Sequence, residues 1–130
     1  MSRPVHFEIH ADEPERAVKF YTEIFGWTFN RWGEAEPAYW LIATGEDGAP
    51  GINGGLLKRM GPPPEDMQPV SSFVITIDIA DLDAYAEKVK AGGGRQVVDK
   101  MPVPGVGWLG YFKDTEGNIF GLMQPDETAK

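Results

Sequence analysis

The stretch VHFEIHADEPERAVKFYTEIFGW, residues 5–27, decides the fold of this 130-residue chain. Apolar and polar side chains alternate at its start, which predicts a half-buried strand over Val5–His10. A helix follows, because Asp12 and Glu15 have the spacing of a capping box and an apolar stripe recurs at helical intervals as far as Gly26. Three strand-like segments complete a predicted β-α-β-β-β unit, at residues 27–31, 39–43 and 52–58.

The same order of elements repeats after a proline-rich joint at residues 61–70. Alternation predicts a strand over Ser72–Ile79, and Asp81 can cap a helix that runs through Lys90. Three further strands are predicted at residues 95–99, 107–113 and 118–123. An internal repeat of this length is more informative about the fold than any single motif.

We therefore predict an α+β fold made of two βαβββ modules that form a curved mixed β-sheet around a cleft. A chain of 130 residues fits a single domain over 1–130. Module one is predicted at about 5–60 and module two at about 71–124.

Composition excludes several classes of function. The chain has 20 acidic and 12 basic residues, a net charge of −8, so neither nucleic acid nor an anionic membrane is an expected partner. The absence of cysteine excludes disulfide scaffolds, thiolate zinc sites and cysteine nucleophiles. Because the sequence shows neither a membrane-span-length apolar run nor a signal-peptide core, we expect a soluble cytoplasmic protein.

The first strand carries the candidate site. Its apolar face is predicted to pack on the helix, so that His6, Glu8 and His10 point into the cleft, joined by Thr76 from the second module. A concave face of mixed polarity is most simply a small-molecule pocket. A His-x-Glu or His-x-His pair on a strand can also hold zinc or nickel, but we favour a hydrogen-bonded polar patch.

Other residues are predicted to line the cleft. Trp40 and Trp108 are the best placed of the four tryptophans, and Asn53 has the same strand parity as Gly55. The paired glycines Gly54 and Gly55 would leave room for a ligand or for a close strand crossing.

The chain resembles the vicinal oxygen chelate superfamily, which includes glyoxalase I, bleomycin-resistance proteins and extradiol dioxygenases. The resemblance covers residues 5 to about 124 and is closest to small single-domain members of the glyoxalase/bleomycin-resistance type. The residues that carry it are VHFEIHAD at 5–12, Arg16-Ala17, Phe20-Tyr21, Phe25-Gly26-Trp27 and Asp114-Thr115-Glu116-Gly117-Asn118.

The resemblance also implies where a metal would bind. Metal-using members place one ligand on the first strand and one on the last strand of each module. These positions fall on His6, Gly55, Val74 (or Ser72 after a two-residue slip) and Gly121. Glycine and valine have no side-chain donor, so we expect no metal site and no cofactor.

Two functions follow as hypotheses. The first is a metal-independent small-molecule-binding protein of the glyoxalase/bleomycin-resistance type. The alternative is a lyase, isomerase or dioxygenase of the same superfamily that uses His6, Glu8 and His10, so the question of catalysis stays open here. The resemblance further implies a homodimer.

Overall fold

The computed structural model of the chain describes residues 2–130, which divide after Pro63 into two compact units. Unit 1 contains β1 (His6–Ala11), α1 (Pro14–Phe25), β2 (Thr28–Arg31), β3 (Tyr39–Ala43) and β4 (Asn53–Lys58). Unit 2 contains β5 (Ile75–Asp78), α2 (Leu82–Ala91), β6 (Arg95–Val103), β7 (Gly107–Lys113) and β8 (Ile119–Pro125). The predicted α+β class with its two βαβββ modules is confirmed.

Both units have the same sheet topology. The strand order is β1-β4-β3-β2 in unit 1 and β5-β8-β7-β6 in unit 2. In each sheet the first and last strands of the unit pair in parallel, and the other neighbours are antiparallel. In each unit a helix follows the first strand and packs on one face of the sheet. We call this the helix-covered face and the opposite one the helix-free face.

The start of α1 differs from the prediction. Glu13 is the N-cap residue and its side chain makes no capping hydrogen bond. Asp12 instead forms an ion pair with Arg59, whose Nη1 lies 2.9 Å from Asp12 Oδ2. The capping box predicted from Asp12 and Glu15 is therefore wrong, because the carboxylate of Asp12 is held by the residue that follows β4.

The core of unit 1 lies between α1 and the helix-covered face. The helix buries Ala17, Phe20, Tyr21 and Ile24 against sheet residues that include Ile9, Ile42 and Leu56. Trp27 closes this core, since its ring stacks on Tyr21 at a centroid distance of 5.0 Å and an interplanar angle of 4°. Aromatic stacking of this kind adds to the stability gained by area burial.

Unit 2 repeats this packing with a better helix cap. The side chain of Asp81 accepts a hydrogen bond from the backbone N–H of Ala84 at 3.1 Å, as predicted. The apolar stripe of α2 is buried against the sheet residues Phe112, Phe120 and Leu122. Within residues 2–130, neither helix has the length and apolar character that crossing a membrane requires.

The turn between β7 and β8 is held by one buried carboxylate. Asp114 is 5% exposed, and its Oδ1 accepts from the backbone N–H groups of Glu116 and Asn118 at 2.8 and 2.9 Å. Its Oδ2 accepts from the side-chain amide of Asn118 at 3.2 Å. These bonds set the geometry with which β8 enters the sheet.

We predict that Asp114→Ala lowers the free energy of unfolding by about 2–4 kcal/mol, because two backbone donors lose a charged acceptor. Urea denaturation followed by circular dichroism measures this change. Asp47→Ala, at an exposed carboxylate in the β3–β4 connection, is the matched control and should change stability little. Equal stability of the two variants would contradict the role given to Asp114.

Candidate functional site

The helix-free face of unit 1 carries the polar residues of β1. In the parallel pairing of β1 with β4, His6 lies beside Asn53 and Glu8 lies beside Gly55. In the antiparallel pairing of β4 with β3, Gly55 lies beside Leu41. His6, Glu8 and His10 therefore form one row along the edge strand, as the alternation predicted.

Tyr39 of β3 joins this row into one hydrogen-bonded network. Its hydroxyl lies 2.9 Å from Nε2 of His6 and donates to Oε2 of Glu8 at 3.1 Å. The other oxygen of Glu8, Oε1, lies 3.4 Å from Nε2 of His10. We call His6, Glu8, His10 and Tyr39 the polar cluster.

The donors in the polar cluster follow from the chemistry of a phenol. A tyrosine hydroxyl has one proton, and here it is donated to the Glu8 carboxylate. The contact between His6 and Tyr39 then requires that Nε2–H of His6 donates to the hydroxyl oxygen. Burial raises the pKa of Tyr39, and the hydrogen bond to Glu8 and its negative charge raise it further, so the phenol stays protonated.

Gly55 is the reason that Tyr39 can reach β1. Neighbouring strands lie about 4.8 Å apart, so a side chain of β3 must pass over β4 to touch β1. A Cβ at position 55 would lie 2.6 Å from Cε1 of the Tyr39 ring and closer still to its hydroxyl. The tyrosine therefore fills the space that any other residue at position 55 would use.

Gly54 and Asn53 have different roles. Gly54 permits a close backbone approach, since a Cβ there would lie 2.6 Å from the carbonyl oxygen of Phe7. Asn53 lies beside His6 on the helix-free face, but its Oδ1 accepts from the backbone N–H of Thr44 at 2.9 Å. Its side-chain carbonyl thus orders the β3–β4 connection.

The structure does not bring Trp40 to the polar cluster. In β3 it lies beside Leu56, which is fully buried, so it belongs to the helix-covered face. Trp32 lies on the helix-free side. Its backbone N–H donates to the carbonyl oxygen of Tyr39 and so continues the β2–β3 pairing by one residue. Its side chain is 68% exposed and its ring meets that of Tyr39 edge-on, at 6.3 Å and 72°.

The helix-free face of unit 2 has a related arrangement around Gly121. Thr76 and Tyr111 flank this glycine in the register of the sheet. A Cβ at position 121 would lie 3.1 Å from Oγ1 of Thr76 and 3.2 Å from Cε1 of Tyr111. Thr76 is exposed on this face of unit 2.

Trp108 is not on that face. It lies beside Gln124 in β8, with the parity of the buried residues Phe112 and Leu122. Its Nε1 donates to Oδ2 of Asp126 at 3.0 Å, and the ammonium of Lys100 lies 5.2 Å from its ring centroid. The structure therefore places Trp108 in a contact with the C-terminal segment.

The residues at the metal positions that the resemblance implies do not fit a divalent ion. Nothing in the side chains of Gly55, Val74 or Gly121 can donate to a metal. The fourth residue is His6, and in the tautomer that the Tyr39 hydrogen bonds require, its Nε2 donates to the phenol oxygen, so this nitrogen has no lone pair for a metal. Across residues 2–130, no three His, Asp or Glu side chains are grouped closely enough to hold an ion.

Reasoning from the sequence missed Tyr39 and Trp32 as members of the site. The sequence gives little indication of their positions, because these depend on the register of β3 against β2 and β4. A glycine within a strand, such as Gly55, does indicate that another group approaches closely. That group is the side chain of Tyr39.

The chain is similar in sequence to proteins named as glyoxylases or glyoxylase-like. A glyoxylase-like domain-containing protein of Didymella fabae is 34% identical over 117 residues, which cover 88% of this chain and 88% of that protein. The putative glyoxylase CFP32 of Mycobacterium bovis is 27% identical over 128 residues, which cover 93% of this chain. These residues make up 45% of CFP32, so the chain spans less than half the length of that relative.

The fold is shared with solved structures. The fosfomycin resistance protein FosX of Listeria monocytogenes, complexed with Mn(II) and a sulfate ion, aligns with a TM-score of 0.70 at 19% identity, covering 97% of this chain and 92% of FosX. The sequence profile of one superfamily matches residues 3–122. The chain therefore belongs to the Glyoxalase/Bleomycin resistance protein/Dioxygenase superfamily, which confirms the resemblance found in its motifs.

Proposed function

We propose that this protein binds a small organic molecule on the helix-free face of unit 1, and that it does so without a metal ion. The observation that carries the proposal is the Tyr39 hydroxyl, which lies over Gly55 and contacts both His6 and Glu8. The hydroxyl occupies the space into which a metal-binding side chain at residue 55 would project.

The hydrogen bonds of this hydroxyl favour an organic ligand over a cation held by the protein. His6 Nε2 and Glu8 Oε2 are two atoms of β1 that could bind a metal. Both are directed at the hydroxyl of Tyr39 instead. Freeing them for a metal would cost two hydrogen bonds and would leave the phenol without partners.

The composition of the face favours a small molecule. Ligand sites combine apolar surface with a few placed polar groups. Here the polar cluster is half-exposed, with side-chain exposures of 46% for Glu8 and 48% for His10. Apolar contact area is available at Leu41, which is 44% exposed, and at Trp32.

We predict that the purified protein, stripped with chelator and dialysed against Mn²⁺, Ni²⁺ or Zn²⁺, retains substoichiometric metal. The residues at the implied ligand positions lack donors, and His6 is engaged by Tyr39. Elemental analysis by mass spectrometry measures the retained ion. A stoichiometric ion that is absent from His6→Ala would overturn the metal-free proposal.

We predict that Gly55→Ala lowers the free energy of unfolding by about 1–3 kcal/mol, since the added methyl overlaps the Tyr39 side chain. Most of this cost should disappear when Gly55→Ala is made in a Tyr39→Ala background, because the overlapping group is gone. Chemical denaturation of the four proteins gives the coupling energy.

Gly45→Ala is the matched control, since a Cβ at Gly45 meets nothing within 4 Å. It should change stability little or raise it slightly. If Gly55→Ala behaves like Gly45→Ala, or costs as much without Tyr39 as with it, the packing of the phenol over position 55 is not as described.

A further inference from the structure

The charges on the helix-free face of unit 1 point to the class of ligand. Of its described strand residues, one is charged when the histidines are neutral, and that residue is Glu8; none is Lys or Arg. The residues of this face are His6, Glu8, His10, Thr28, Asn30, Tyr39, Leu41, Ala43, Asn53, Gly55 and Leu57. The face therefore presents one carboxylate and no fixed positive charge.

The guanidinium groups at the ends of these strands are engaged elsewhere. Arg31 pairs with Glu36 at 3.0 Å, and its strand parity is that of the helix-covered face. Arg59 pairs with Asp12 at 2.9 Å and donates to the carbonyl oxygen of His10 at 3.0 Å. An anionic ligand would meet the Glu8 carboxylate without a cation to offset it, which is unfavourable at short range.

Two aromatic rings on this face, those of Trp32 and Tyr39, lie close together. Trp32 and Tyr39 stand nearly perpendicular, at 72°, with centroids 6.3 Å apart. The hydroxyl end of Tyr39 contacts Glu8, while Trp32 presents a largely exposed indole. Aromatic faces attract cations, and Trp does so most strongly. An apolar ring can pack on the same indole and on the exposed side chain of Leu41.

We infer that the ligand of this site carries a positive charge next to a flat apolar group, the charge meeting Glu8 and the apolar group packing on Trp32. This inference rests on the proposed function and adds the ligand class to it. It distinguishes this chain from FosX, whose solved complex holds a sulfate anion together with Mn(II). The protein's net charge of −8 favours the approach of such a cation.

Three probes of one ring system and different charge test the inference. Naphthylmethylammonium, naphthylmethanol and naphthoate are titrated into the wild-type protein by calorimetry at about pH 8, where imidazole is neutral. The ammonium probe is expected to bind about tenfold more tightly than the carboxylate probe, with the alcohol between them. The difference should shrink at high salt, because screening weakens the charge interaction.

Variants separate the local carboxylate from the overall charge. Glu8→Gln keeps an acceptor for Tyr39 and removes the negative charge, so the preference for the ammonium probe should fall to near unity. Glu15→Gln, at an exposed position on α1, removes the same charge away from the face and should keep the preference. Trp32→Ala should weaken all three probes, because it removes the apolar wall that they share.

The outcomes distinguish failure of the ligand class from failure of the small-molecule site. Naphthoate binding as tightly as the ammonium probe would overturn the ligand class and leave the small-molecule site standing. Equal preference in Glu8→Gln and wild type would also overturn it, since the selectivity would then come from overall charge. Failure of all three probes to bind would count against the small-molecule site itself, and the inference would fall with it.

Discussion

The packing of the Tyr39 hydroxyl over Gly55 is the constraint on which the site depends. A tyrosine on β3 can touch β1 only if the intervening strand has no side chain at the crossing point, and Gly55 meets that condition. The hydroxyl then orients His6 through Nε2 and Glu8 through Oε2. One missing side chain thus converts a row of separate polar residues into a connected cluster.

The two units use the same backbone position differently. Gly55 and Gly121 lie at matching places, each in the last strand of its unit and beside the first. In unit 1 the space is filled by a phenol bonded to a carboxylate and an imidazole. In unit 2 it is bordered by Thr76 and the edge of the Tyr111 ring. The repeat therefore conserves the sheet geometry, while the chemistry of each helix-free face is set by a few side chains.

Much of the fold could be predicted from the sequence because it depends on local patterns. Alternation located β1, and the apolar stripes located both helices, since each pattern reports directly on one buried face. The row of His6, Glu8 and His10 follows from the same alternation. The sheet faces of Trp40 and Trp108 are harder to predict, because an aromatic residue fits either face of a strand. Both residues lie on the helix-covered faces. Tyr39 joins the cluster through strand register, which no local pattern contains.

The position of the proton on the His6 imidazole reports on the hydrogen bonds around the Tyr39 hydroxyl. If Tyr39 donates to Glu8, then His6 must carry its proton on Nε2 and donate it to the phenol oxygen. Heteronuclear NMR of the imidazole nitrogens, recorded at a pH where the ring is neutral, reads the tautomer without a ligand or a metal. We expect the Nε2–H tautomer in the wild-type protein, with nitrogen shifts that change in Tyr39→Phe. An Nδ1–H tautomer, with the same shifts in Tyr39→Phe, would show that His6 does not donate to Tyr39.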